Sequence, residues 1–122
     1  MSLAAEARVA LEELKANTSA DFEKARAMPK SVYTSESVAT LETEKIFARE
    51  WICVGRTSTL AAPGDYLTLN LAGEPVIVMR DQSGALRAMS NVCRHRMSTM
   101  LEGRGNKKVI TCPYHGWAYN TD

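Results

Sequence analysis

The chain has 122 residues, 45% hydrophobic and 24% charged, with 15 Lys and Arg against 14 Asp and Glu and a formal net charge of +1. That balance belongs to an ordinary globular protein and excludes a disordered or collagen-like chain. Near-neutral charge argues against broad nucleic-acid binding, and no apolar run is long enough to span a membrane. Glu6, Arg8, Glu12, Glu13 and Lys15 interrupt any signal-peptide pattern, so the expected location is the cytoplasm. Leu3, Ala7, Ala10, Leu11 and Leu14 fall at helical spacing and predict a helix over 3–16, with Asn17 as its stop. Thr18-x-x-Asp21 is expected to open a second short helix that Pro29 ends. Tyr33-Thr34-Ser35 offers a cap for a third helix from about Glu36 to Arg49, although its apolar residues Val38, Leu41, Ile46 and Phe47 are scattered around it.

The pattern changes near residue 50. Trp51-Ile52-Cys53-Val54 reads as a buried strand, with Trp51 and Cys53 as core residues. Ala62-Pro63-Gly64-Asp65 is a turn, because proline presets φ and glycine tolerates a positive one. Residues 66–71 alternate, with Leu67, Leu69 and Leu71 on one face and Thr68 and Asn70 on the other. Pro75 to Met79 and Ala85 to Ser90 read as two more strands, and Asp81-Gln82-Ser83-Gly84 as the turn between them. Gly103-x-Gly105 and Lys107-Lys108 read as turns. The predicted organisation is a helical N-terminal extension over 1–50 and a mostly β domain over 51–122, an antiparallel sandwich or small barrel.

Three cysteines in a chain without an export signal argue against a disulfide framework and turn attention to metal chemistry. Cys93-Arg94-His95 follows the fourth predicted strand, and Cys112-Pro113-Tyr114-His115 follows after sixteen intervening residues. Thiolate and imidazole ligate soft and borderline metals. A Cys-x-His pair is tight for chelating one tetrahedral ion and comfortable when its two members face different metal atoms. Two such pairs supply two cysteines to one iron and two histidines to another, the ligand set of a Rieske [2Fe–2S] centre. The competing reading is a zinc module, since Cys₂His₂ is a common zinc set, but neither C-x₂₋₄-C nor H-x₃₋₅-H is present. A third possibility is a site that has lost its cluster, with Cys93 and Cys112 as free thiols or a disulfide. Charge gathers at the same place: Arg94, Arg96, Arg104, Lys107 and Lys108 stand against Glu102 alone between Cys93 and Lys108.

Asn91-Val92-Cys93-Arg94-His95-Arg96 and Cys112-Pro113-Tyr114-His115-Gly116-Trp117 resemble the Rieske domain of the α subunit of Rieske non-haem iron oxygenases, the aromatic-ring-hydroxylating oxygenases and their relatives that act on quaternary amines. Tyr33-Thr34-Ser35, Trp51 to Gly55, Pro63-Gly64-Asp65 and Pro75 to Val78 extend the likeness, which covers about three quarters of the chain, from Pro29 to Asp122. The resemblance implies a Rieske-type β-sandwich carrying its cluster on two loops, with Cys93 and Cys112 on one iron and His95 and His115 on the other. It implies electrons from a ferredoxin or reductase passing to a mononuclear iron that oxidises an organic substrate, across a subunit boundary in a homo-oligomer, a trimer when full length. The mononuclear Fe(II) is expected only in a downstream catalytic domain, because no histidine remains after His115 before the chain stops at Asp122. Met97 stands where many relatives carry a small residue such as glycine. The alternative to an oxygenase component is a stand-alone Rieske-type ferredoxin, against which stand the 50 residues before the first predicted strand.

Overall fold

Alanines at positions 7 and 10 give the first helix a flat strip on which a second helix can lie close. The computed structural model describes residues 3–122 and places α1 over Leu3–Thr18, α2 over Lys30–Thr34 and α3 over Glu36–Glu42. Ala7 and Ala10 are buried with Val38 of α3, and Val32 and Leu41 pack at the margin. Leu11, expected in the same stripe, lies to its side and is exposed, and the side chain of Leu3 falls outside the described residues. The predicted second helix is a single 3₁₀ turn, Phe22–Lys24, and α2 begins after Pro29 rather than ending there. The reason lies in Asn17. Its amide donates to the carbonyls of Arg26 and Ala27 and accepts from the Arg26 N–H, holding the segment to the end of α1. α3 continues into a π-helical turn over Thr43–Phe47, which leaves Ile46 and Phe47 exposed.

The chain divides into two compact units, 1–51 and 52–122. The second is built on antiparallel pairing. β1 (Asp65–Leu71), β2 (Glu74–Arg80), β3 (Leu86–Ser90) and β4 (Arg104–Asn106) form one sheet in the order β3-β2-β1-β4. β5 (Ile110–Thr111) and β6 (Ala118–Tyr119) form a separate hairpin. The register pairs Tyr66 with Met79 and Leu67 with Val78, so successive residues of β1 serve opposite faces. One face carries Tyr66, Ile77 and Met79 into a core with Met100, Leu101, Ile110, Cys93 and Cys112. Ile77, Met79 and Ile110 are wholly buried, and burial of each stabilises the fold by about 1.5–3 kcal/mol. The face expected from the alternation, with Leu67, is the other one. With Val78 and Leu86 it borders a small apolar hollow closed by Val54 and Leu60.

The segment 51–54 departs from expectation. It pairs with no strand among the described residues, Trp51 and Cys53 are exposed, and Trp51 retains all of its accessible surface. A four-residue apolar run does not by itself distinguish a strand from an extended connection; here Ile52 is half-buried and Val54 borders the apolar hollow. The turn at Gly64 has a tighter basis. Its φ is +90°, and a Cβ there would sit 2.8 Å from both Asn106 Oδ1 and the Lys107 carbonyl. Glycine thus allows β4 to close on the turn, where the Lys107 N–H donates to the Gly64 carbonyl and Asn106 Nδ2 donates to Pro63 O and Asp65 Oδ1. Gly105, expected in a turn, instead lies in β4, against the ring of Tyr66.

Candidate metal centre

Two loops rise from this scaffold, and their backbones follow one plan. In the first, the Met97 N–H donates to the Cys93 carbonyl and the Cys93 N–H to the Ser98 carbonyl, both at 2.9 Å. In the second, the Gly116 N–H donates to the Cys112 carbonyl at 3.0 Å and the Cys112 N–H to the Trp117 carbonyl at 2.8 Å. Each loop therefore runs from a cysteine through a left-handed residue four positions on, Met97 (φ +56°) or Gly116 (φ +73°). The histidines break the equivalence, since His95 is two residues after its cysteine and His115 is three.

Asn91 anchors the first loop. It is buried, its backbone N–H donates to the Pro75 carbonyl of β2, its side-chain oxygen accepts from the Met100 and Leu101 N–H groups, and its Nδ2 donates to the Leu101 carbonyl. The hairpin β5–β6 carries the second loop, with Ile110 opposite Tyr119 and Thr111 opposite Ala118.

The side chains separate by chemistry and by depth. Cys93 and Cys112 are buried side by side, each within reach of the other's thiol. His95 and His115 stand at the surface with ring centroids 4.8 Å apart, edge to face. Trp117 stacks on His95 at 4.9 Å with the planes nearly parallel, and Tyr114 lies tilted 3.8 Å from His115. Tyr114 and Trp117 are exposed where they pack on the two imidazoles, and Met97, two residues after His95, is exposed as well.

Each sulfur has a hydroxyl partner supplied from across the site. Tyr119 Oη lies 3.2 Å from Cys93 Sγ and accepts the Arg94 N–H at 3.1 Å, which leaves its own proton for the sulfur. Ser98 Oγ, from the first loop, lies 3.2 Å from Cys112 Sγ on the second. The Ser98 bond is the main reason the Cys112 thiol is pulled down to about 7; backbone donation from Tyr114 assists, burial opposes, and Cys93 and the His115 backbone add further lowering. The sulfur of Cys93, with burial, raises the Tyr119 phenol above its usual range, keeping it a donor.

These residues fit a binuclear group. The donors fall into a buried thiol pair and an exposed imidazole pair, the division that a two-iron cluster with two kinds of ligand requires. Hydroxyl and amide donors aimed at sulfur suit anionic thiolates better than neutral thiols. Sequence reasoning did not anticipate Ser98, Tyr119 or Asn91. Asn91 lies beside the first motif, while Ser98 and Tyr119 reach their sulfurs only through contacts between loops. Arg94 and Arg96 flank His95 and are exposed; the three ion pairs among the described residues lie elsewhere.

The profile of the Rieske [2Fe-2S] domain matches residues 50–122. The carnitine monooxygenase oxygenase subunit of Acinetobacter baumannii is 45% identical over 114 residues, which are 93% of this chain and 31% of that protein. The solved structure of a quaternary ammonium Rieske monooxygenase, described in terms of carnitine oxidation and inter-subunit electron transfer, superposes with a TM-score of 0.72 at 48% identity over 77% of this chain and 26% of its own. Naphthalene 1,2-dioxygenase from Rhodococcus sp. superposes with a TM-score of 0.80 at 29% identity over 94% of this chain and 25% of its own. The chain thus spans about a third or less of the length of these relatives. With the antiparallel sheets, the paired thiols and imidazoles and the matched profile together, the chain belongs to the Rieske [2Fe-2S] domain family.

Proposed function

We propose that this chain is the electron-relay portion of an oxygenase α subunit, with Cys93 and Cys112 holding one iron of a [2Fe–2S] cluster and His95 and His115 the other. One observation carries the reading: a buried thiol pair and an exposed imidazole pair stand on two loops of the same backbone plan. When bound, the cluster supplies one-electron redox chemistry, and neutral imidazoles in place of two thiolates make it easier to reduce. The protein's own residues do the rest. Cys93 and Cys112 exclude water by burial, Tyr119 and Ser98 donate toward sulfur, and Trp117 and Tyr114 fix the planes of the two imidazoles.

On this reading a ferredoxin or reductase would supply the electrons, and a further domain of the whole enzyme would hold a mononuclear Fe(II) at which an organic substrate would be oxidised. The exposed imidazoles suit transfer to a neighbouring subunit of a homo-oligomer, a trimer on this reading, which matches the inter-subunit transfer described for the quaternary ammonium monooxygenase. Similarity over 93% of the chain, including the helical unit, favours an oxygenase component over a stand-alone ferredoxin. No helix among the described residues is long and apolar enough to cross a membrane, and free cysteines suit the reducing cytoplasm where we place the protein.

The deciding experiment is EPR of the dithionite-reduced, purified chain with iron, sulfide and zinc quantified on the same sample. Two irons per chain and a Rieske-type signal are expected. One zinc, with no signal after anaerobic iron–sulfide reconstitution, overturns the reading.

A further inference from the structure

We propose that Ser98 sets the reduction potential of this centre by donating its hydroxyl to the sulfur of Cys112. The inference rests on the proposed ligand role of Cys112 and adds a residue to it.

The geometry is direct. Ser98 Oγ and Cys112 Sγ are 3.2 Å apart, and Cys112 is buried while Ser98 is half-buried, so water does not compete freely for the bond. A thiolate only accepts, so once Cys112 is a ligand the hydroxyl is the donor. The backbone fixes Ser98 independently of its side chain, because its carbonyl accepts the Cys93 N–H at 2.9 Å. Ser98 is thus the fifth residue after Cys93, as Trp117 is the fifth after Cys112, yet the two side chains act differently. Trp117 stacks on the imidazole of His95, whereas Ser98 reaches across to the sulfur of the opposite loop.

A hydrogen bond to sulfur strengthens as negative charge on the sulfur grows. Adding one electron raises that charge, so the bond favours the reduced state over the oxidised one. No proton is transferred: the hydroxyl remains a hydroxyl, and the electron comes from a one-electron donor that is oxidised in the same step. Ser98 touches no substrate and acts through the sulfur.

The test is a redox titration, followed by EPR, of reconstituted wild type, S98A, S98V and S98T. Two hydroxyl-free variants are used because they differ in bulk, so a packing fault in one is not shared by the other. S98A and S98V are expected to shift the reduction equilibrium toward the oxidised form by up to about tenfold, which is about 59 mV for a one-electron couple. S98T, which restores a hydroxyl, is expected within about threefold of wild type, and all loaded variants should keep two irons and a Rieske-type signal. Wild-type potentials in S98A and S98V overturn the proposal, as does an S98T potential matching that of S98A. Failure of both hydroxyl-free variants to load while S98T loads also overturns it, because the hydroxyl is then needed for assembly rather than for the potential. Absence of the signal from wild type is a different failure, that of the ligand assignment itself.

Discussion

Tyr119 Oη lies 3.2 Å from Cys93 Sγ while accepting the backbone N–H of Arg94, so the phenol joins the start of one cluster loop to the strand that leaves the other. Tyr119 sits on β6 opposite Ile110, a wholly buried residue, so its ring is held by the core and its hydroxyl is aimed rather than free to rotate to solvent. Tyr119→Phe keeps the ring and removes the donor. The expected result is a lower reduction potential by roughly 60 mV or less in a one-electron titration, with iron content unchanged.

His115→Cys tests the imidazole pair from the opposite direction. An anionic ligand replaces a neutral one, so any cluster that assembles should be harder to reduce. An unchanged or raised potential in the same titration would refute the assignment of His115.

The three longer strands, and the two Cys–His pairs that the loops bring together, are legible in the sequence for a physical reason. Runs of five to seven residues, alternating in β1 and apolar in β2, bounded by Pro-Gly and Asp-Gln-Ser-Gly turns, carry their own signal, and β1, β2 and β3 lie within a residue or so of expectation. Two- and three-residue strands have no period to read. β4 forms because Asn106 finds partners in the distant turn at Pro63 to Asp65, and β5 and β6 form because the loop between them brings Ile110 opposite Tyr119. Trp51 and Cys53 misled because apolar character is a one-way guide, and an exposed apolar residue breaks no rule. Ser98 and Tyr119 escaped notice because each serves the cysteine of the opposite loop, a relation that only the pairing of the loops creates.

Met97 and Gly116 occupy the same left-handed position of the two loop frames, with φ of +56° and +73°. A side chain at such a position costs roughly 1–2 kcal/mol, and glycine returns about 0.5–1 kcal/mol of that through the freedom it adds to the unfolded chain. Met97 is 75% exposed and has little packing to lose. Met97→Gly is therefore expected to stabilise the chain by up to about 1 kcal/mol, read from the urea midpoint. Gly116→Ala should destabilise it by the same difference, up to about 1 kcal/mol. A Cβ at 116 meets nothing within 4 Å, so that loss is conformational rather than steric.

Asp81 is buried and accepts from the Ser83 hydroxyl and N–H, the Ala85 N–H and Arg87 Nε. These partners, Ser83 first and then Arg87, hold its carboxyl well below the usual carboxylate range. Because the folded value lies below the unfolded one of about 3.9, the stability this group contributes is complete above that pH and is lost as pH falls through the folded value. Wild type should lose urea resistance steadily on acidification below about pH 4. Asp81→Asn should be less stable than wild type at pH 7 and show a shallower acid slope. Parallel slopes would exclude this carboxyl as the source.

Arg94 and Arg96 flank an exposed imidazole and present positive charge where an electron donor would seat. If an acidic carrier docks there, its rate of reducing the cluster should fall severalfold as ionic strength rises from about 0.05 to 0.5 M. Reversing both charges to glutamate should slow the reaction and flatten that dependence. Stopped-flow reduction by the physiological donor measures both effects.

The separation of buried sulfur from surface imidazole makes the domain a device with an inside and an outside. The cysteines are sealed among Ile110, Met100 and Leu101, while the two histidine rings form part of the molecular boundary. No layer of this unit lies between those rings and whatever touches them. On the proposed reading, the tunnelling distance of each transfer is then settled by how closely a visiting surface seats on Met97, Tyr114 and Trp117. Changes at that rim would regulate the speed of the circuit, whereas changes at Ser98 and Tyr119 would regulate its voltage.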